Sequence, residues 1–120
     1  MTTRILVAED DPIVRMLTAR VLREGGYEVA EAEDGEAALA IALAGPPFDL
    51  MIVDQRMPGV LGDQLIERVR QQQPGQLVIR LLGNPDDAET RPVDATCVTL
   101  RKPFTPAQLL ARVEDCLGGT

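Results

Sequence analysis

Residues 48–59 read FDLMIVDQRMPG, and this stretch decides the fold. Its first half contains an unbroken apolar run, LMIV, and its second half, Met57-Pro58-Gly59, is turn-forming. A short run that is apolar at every residue is typical of a strand buried on both faces, as in a parallel sheet covered by helices. The stretch therefore predicts a central strand that ends on a charged side chain, Asp54.

The rest of the chain alternates such runs with stretches of helical periodicity. The predicted strands are RILVA (4–8), YEVAEA (27–32), DLMIVD (49–54), LVIRLL (77–82) and CVTL (97–100). This alternation predicts an α/β fold, in which right-handed helical crossovers connect the strands of one doubly wound parallel sheet. Ligands of such sheets bind at the carboxyl ends of the strands, so we expect the chemistry in the loops that follow them.

Capping residues and glycines mark the ends of the predicted helices. Asp11 is expected to cap the first helix, and Gly25-Gly26 to end it. The inward stripe predicted for this helix is Val14, Leu17, Val21 and Leu22. The other predicted helices are 34–44, capped by Asp34; 63–73, with Leu65, Ile66 and Val69 inward; and 105–117, opened by Thr105 and Pro106.

Composition limits the classes of function. A chain of 120 residues is expected to form a single domain over residues 1–120. Its formal charge of -7 and its three aromatic residues argue against binding to nucleic acid or to a membrane surface. No leader opens the chain and no apolar run approaches the ~18 residues of a membrane span, so we expect a cytoplasmic protein. Cys97 and Cys116 lack CxxC spacing and are expected to be buried, reduced thiols.

Charged residues follow three of the predicted strands. Glu9 and Asp10 come after the first strand, Asp54 ends the third, and Lys102 follows the fifth. Three carboxylates at one sheet edge repel each other unless they share a cation, and oxygen ligands favour Mg²⁺. Lys102 can neutralise phosphoryl oxygens, and Asp54 can serve as a nucleophile. Each carboxylate alone reads as a turn former or helix cap, but their combination predicts a magnesium site for phosphoryl transfer.

Three motifs give the chain a specific resemblance. AEDDP at 8–12, VDQRMPG at 53–59 and RKPF at 101–104, in this order, resemble the receiver domain of two-component response regulators over essentially the whole chain. The resemblance implies a flavodoxin-like fold with strand order 2-1-3-4-5. It also implies magnesium-dependent phosphorylation of an aspartate by a histidine kinase or histidine phosphotransfer protein, with output to another protein. Such a receiver either stands alone or derives from a hybrid kinase.

The resemblance assigns roles by register with these motifs. Asp54 matches the phosphoacceptor, Asp10 the direct magnesium ligand and Glu9 its acidic companion. The backbone carbonyl of Arg56 matches the third protein ligand of magnesium. Lys102 matches the lysine that contacts the phosphoryl group, and a cis peptide bond is expected after it.

Two positions depart from the family pattern. Leu82, followed by Gly83, ends the fourth strand where the family has a threonine or serine whose hydroxyl bonds the phosphoryl group. Thr99 stands where the family has an aromatic switch residue. Residues 84–96 contain two prolines and no clean apolar stripe, which predicts an irregular or shortened fourth helix. These departures leave metal binding and nucleophilic attack in place but weaken the expected coupling to the protein surface.

The leading hypothesis is thus a phosphoacceptor domain, with no catalysis beyond its own phosphorylation and dephosphorylation. A pseudo-receiver, which binds its partner regardless of phosphorylation, is the main alternative, because loss of the switch residues permits it. A magnesium-dependent phosphatase lacks the second aspartate of a DxD pair, since Arg56 occupies that place. Flavin binding lacks a phosphate cradle after the first strand.

Overall fold

A five-stranded parallel sheet forms the centre of the protein. The computed structural model describes residues 2–83 and 97–118. The strands are β1 (Arg4–Ala8), β2 (Glu28–Ala32), β3 (Leu50–Asp54), β4 (Val78–Leu82) and β5 (Cys97–Arg101), and the helices are α1 (Pro12–Glu24), α2 (Gly35–Leu43), α3 (Gly62–Gln72) and α4 (Pro106–Cys116). The strand order is β2-β1-β3-β4-β5, and all pairs are parallel. The predicted fold class and strand order are confirmed.

Helices cover both faces of the sheet, as the apolar strands require. Every residue of β3 is buried. Leu50 and Ile52 belong to an apolar cluster with α1 and α4, whereas Met51 and Val53 belong to a second cluster with α2 and α3. Because side chains alternate between the faces of a strand, Asp54 lies on the α1–α4 face, at the carboxyl edge of the sheet.

The predicted inward stripe of α1 is wrong at one position. Leu17 is 49% exposed, although the sequence predicts that it faces the core. The buried residues of the helix are Thr18, Ala19 and Leu22. Successive helical residues are turned by about 100°, so the small Thr18 and Ala19 face the sheet and Leu17 is moved to the rim.

The other helix predictions agree with the structure more closely. Asp11 and Asp34 each accept a hydrogen bond from a backbone N–H in the first turn of α1 and α2, at 2.9 and 2.7 Å. The inward residues of α3 are buried as predicted, namely Leu65, Ile66 and Val69. These caps and contacts set the directions in which the helices leave the loops at the carboxyl edge of the sheet.

A reciprocal pair of hydrogen bonds closes the start of α4. Thr105 Oγ1 accepts a hydrogen bond from the Gln108 N–H at 3.1 Å, and Gln108 Oε1 accepts one from the Thr105 N–H at 2.8 Å. Thr105→Ala is expected to lower the free energy of unfolding by about 1 kcal/mol, because a helical N–H loses its partner. Urea unfolding followed by circular dichroism measures the change. Thr105→Ser keeps the hydroxyl, and an equal loss in both variants would contradict the capping role.

Two sequence predictions fall outside the residues that the structure describes, and the predicted burial of Cys116 is wrong. The predicted irregular fourth helix, residues 84–96, lies outside the described residues, as does the side chain of Cys97. Cys116 is a free thiol, but it is half-buried rather than buried. Burial raises the pKa of the Cys116 thiol, and Asp115 adds to this effect.

Within the described ranges, no helix has both the length and the apolar character of a membrane span.

Candidate functional site

The carboxyl ends of β1 and β3 bring three carboxylates together. Glu9 and Asp10 follow β1 directly, and Asp54 is the last residue of β3. Because these strands are neighbours in the sheet, one ligand oxygen from each residue lies within 4.8 Å of the others. Glu9 and Asp54 are buried, whereas Asp10 is exposed. The carboxylates therefore converge as the sequence predicts.

Lys102 brings a positive charge to the same edge. Its Nζ lies 2.6 Å from Glu9 Oε1 and 3.2 Å from Asp54 Oδ1. Its backbone N–H donates to the Leu82 carbonyl at 2.8 Å, which ties its loop to the end of β4. The peptide bond between Lys102 and Pro103 is cis, as expected. Although burial acts in the opposite direction, the carboxylates of Glu9 and Asp54 raise the pKa of Lys102.

Glu9 is the most deeply buried charge of the cluster. Its side chain has no solvent exposure, and its Oε2 has no hydrogen-bond partner among the described residues. Burial raises the pKa of Glu9 to about 8, and Asp54 adds to this effect while Lys102 opposes it. A buried carboxylate oxygen without a partner indicates that Lys102, which contacts the other oxygen, leaves part of the site's demand for positive charge unmet. Hard oxygen ligands select Mg²⁺ over soft metals, so the cluster fits a magnesium ion.

The loop after β3 packs tightly against the end of that strand. The Gly62 N–H donates to the Gln55 carbonyl at 2.9 Å. A Cβ at position 62 would lie 2.7 Å from the backbone oxygen of Asp54 and 2.9 Å from the Cα of Gln55. Only glycine allows this approach, so the loop that carries Arg56 stays close to Asp54. The side chain of Arg56 is exposed, and its carbonyl as a metal ligand stays a prediction.

Leu82 and Thr99, the two positions that depart from the family pattern, lie in different parts of the sheet. Leu82 is fully buried at the end of β4. Gly83 lies against Lys102, because a Cβ at position 83 would be 3.5 Å from the Lys102 Cδ. Thr99 pairs in register with Arg80, while its neighbours along β5 pack toward α4 on the opposite face. The structure thus brings Gly83 to the cluster, and it does not bring Thr99 there.

Two arginines have contacts that the sequence does not predict. Arg80 is 2% exposed within β4, and its guanidinium pairs with the carboxylate of Asp63 on α3. Arg15 of α1 donates from its guanidinium to the backbone carbonyl of Glu9 at 2.8 Å. The sequence did contain a signal for the Arg80 contact, because Arg80 lies inside an otherwise apolar strand. A buried charge requires a partner.

Known proteins share this sequence pattern. Residues 5–114 match the family described as response regulator receiver domain. Transcriptional regulatory protein PdtaR of Mycobacterium tuberculosis is 35% identical over 113 residues, which make up 92% of this chain and 55% of that protein. Sensor kinase CckA of Brucella abortus is 36% identical over 116 residues, 94% of this chain and 12% of that protein. The chain spans about half the length of the transcriptional regulators that it matches.

Solved structures share the fold over nearly the whole chain. Chemotaxis protein CheY4 of Vibrio cholerae has a TM-score of 0.83 and 31% identity, with 97% of this chain and 99% of that chain covered. The receiver domain from hybrid histidine kinase CckA has a TM-score of 0.82 and 36% identity, with 95% of this chain and 98% of that chain covered. The likeness therefore covers nearly the whole chain.

Proposed function

This chain belongs to the receiver-domain family of response regulators, and from this premise we propose that it accepts a phosphoryl group on Asp54 in two-component or phosphorelay signalling. Receiver domains are regulatory domains rather than enzymes in the ordinary sense, and they interact with histidine kinases and output domains. One observation carries the proposal, namely that Asp54 lies beside both Lys102 and the other two carboxylates. We propose that the chain forms one such domain.

The chemistry follows from the contacts of Asp54. A carboxylate oxygen attacks the phosphorus of the donor, a new P–O bond forms, and the leaving group departs with the electrons of the broken bond. Lys102, 3.2 Å from Asp54 Oδ1, pairs with the phosphoryl oxygens. Bound Mg²⁺ would supply positive charge that offsets the repulsion between carboxylate and phosphoryl group. Glu9, Asp10, Asp54 and the Arg56 carbonyl would hold it.

The surface beside the site favours a protein as the donor. Ile13, Met16 and Leu17 of α1 are exposed apolar residues, with exposures of 64%, 57% and 49%. An open groove of about 730 Å³ lies between α1 and the start of α4, and Lys102 lines it. Exposed apolar groups clustered beside a reactive group are typical of a docking surface. We therefore propose a protein donor, and the family makes it the phosphohistidine of a histidine kinase or phosphotransfer protein, whose N–P bond breaks.

Intact-mass spectrometry tests the proposed function. The protein is incubated with acetyl phosphate in magnesium and, in parallel, with a chelator. One phosphoryl adduct is expected with magnesium only, and neutral hydroxylamine is expected to remove it, because it cleaves acyl phosphates. Absence of an adduct in magnesium would contradict the proposal and favour a module that binds its partner without phosphorylation.

Magnesium affinity is expected to depend more on Asp10 than on Glu9. Lys102 already offsets the charge of Glu9 at 2.6 Å, whereas Asp10 is exposed and can reach an ion directly. Asp10→Asn is expected to raise the apparent Kd for magnesium by about 10-fold, or ~1.4 kcal/mol, and Glu9→Gln by less. Amide chemical-shift titrations measure both constants. Equal midpoints would contradict a direct role for Asp10.

A further inference from the structure

We propose that Arg15 is a positioning residue for Asp10. Its guanidinium donates a hydrogen bond to the peptide unit that joins Glu9 to Asp10, and Glu31 of β2 forms an ion pair with the same guanidinium. This inference rests on the proposed magnesium site, because it concerns how the exposed carboxylate of that site is directed. Arg15 itself contributes no oxygen ligand and acts only through the backbone.

Glu9 is held by hydrogen bonds on both sides of its backbone. Its N–H donates to the carbonyl of Ala32 at the end of β2, at 3.1 Å. Its carbonyl accepts a hydrogen bond from Arg15 NH1 at 2.8 Å. That carbonyl belongs to the same planar peptide unit as the Asp10 N–H. The hydrogen bond from Arg15 therefore fixes the orientation of the peptide unit that precedes Asp10, and with it the direction in which the Asp10 side chain leaves the backbone.

Arg15 is itself held in a defined orientation. Its side chain is 19% exposed, and its Nε lies 3.6 Å from Glu31 Oε1. The other oxygen of Glu31 lies 3.0 Å from Arg23 NH1, so this carboxylate joins two arginines of α1. The rigid fork of a guanidinium can contact Glu31 and the Glu9 carbonyl at the same time, which the single ammonium of lysine does less well. The result is a link from β2 through α1 to the loop after β1.

Charge and positioning predict opposite effects of removing Arg15. A cation beside a metal site repels the metal, so loss of its charge alone would tighten magnesium binding. If Arg15 positions Asp10, its loss frees the peptide unit, and the metal must then order the ligand at a cost in affinity. The sign of the change in magnesium affinity therefore separates the two roles.

Magnesium titrations of four proteins provide the test. They are wild type, Arg15→Ala, Arg15→Lys and the control Arg20→Ala, which removes the same charge from an exposed site on α1 where Arg20 pairs with Glu24 at 3.1 Å. Arg15→Ala is expected to raise the apparent Kd about 10-fold, as residues that orient metal ligands do. Arg15→Lys is expected to recover part of the loss, and Arg20→Ala to match wild type. Unchanged or tighter binding in Arg15→Ala overturns the inference.

A measurement without metal separates this inference from the proposed function. In a chelator, the carbonyl signal of Glu9 and the amide signal of Asp10 are expected to shift in Arg15→Ala and to stay unchanged in Arg20→Ala. If the wild-type protein binds no magnesium, the proposed function is overturned. The Glu9 and Asp10 signals in chelator then decide by themselves whether Arg15 positions Asp10. Unchanged signals in a folded Arg15→Ala variant overturn the inference that Arg15 positions Asp10. Should that variant not fold, Glu31→Gln is expected to shift the same two signals, and unchanged signals there overturn the inference.

Discussion

Asp54→Asn is expected to abolish phosphoryl capture while the fold is retained. Asparagine has nearly the same shape, but its amide does not act as a nucleophile toward phosphorus at neutral pH. Asp54 is 4% exposed and lies beside two other carboxylates. The change removes one of these crowded charges, so the variant is expected to be at least as stable as wild type without magnesium. Intact mass after acetyl phosphate treatment measures capture, and urea unfolding in a chelator measures stability.

Asp49→Asn is the matched control for the acceptor. Asp49 directly precedes β3, so it lies at the opposite end of the same strand from Asp54. Its carboxylate accepts a hydrogen bond from the Arg4 N–H at 2.8 Å, which gives it a structural role. Capture is expected to survive this change. A phosphoryl adduct on the Asp54→Asn variant would contradict the assignment of the acceptor. A folded Asp49→Asn variant that carries no adduct would contradict it as well.

Lys102→Ala is expected to make the stability of the fold depend on magnesium. Without metal, Lys102 is the cation 2.6 Å from Glu9 and 3.2 Å from Asp54. Its removal leaves these buried carboxylates with less compensating charge, and loss of one partner of a buried pair costs about 3–5 kcal/mol. The side chain of Lys102 is 23% exposed and Glu9 can take up a proton, so we expect a loss nearer ~2 kcal/mol.

Magnesium is expected to restore most of this loss. The ion and the lysine offset the same carboxylates, so magnesium should raise the Tm of Lys102→Ala by more than it raises the Tm of wild type. Thermal unfolding in a chelator and in magnesium measures the difference. Arg112→Ala, which removes an exposed cation of α4, should respond to magnesium as wild type does. An equal magnesium effect in Lys102→Ala and wild type would show that lysine and metal act at separate places.

The sheet could be predicted because its strands are short runs buried on both faces. Each predicted strand lies within one residue of its observed bounds. The orientation of α1 was harder to predict, because apolar residues occur around much of its circumference and periodicity alone does not select one face. Thr18 faces the core and Leu17 does not, since the close approach of helix and sheet favours small side chains over strongly apolar ones.

The cluster at the carboxyl edge could be predicted for a topological reason. Glu9, Asp54 and Lys102 each lie at or just after the end of a strand, and parallel strands end at one edge of the sheet. The contacts of Arg15 and Arg80 could not be predicted in this way. Both depend on how far a long side chain reaches from one element to another, which sequence spacing does not encode.

The chain has a single lysine, Lys102, among its twelve basic residues. Apart from the α-amino group, this side chain is therefore the only primary amine of the sequence, so a succinimidyl ester can acylate nitrogen at these two places only, and a peptide map tells them apart. Its contacts with Glu9 and Asp54 keep it protonated and slow to react. Any event that changes those contacts alters the labelling rate at this one position, so the unmodified protein carries its own chemical reporter.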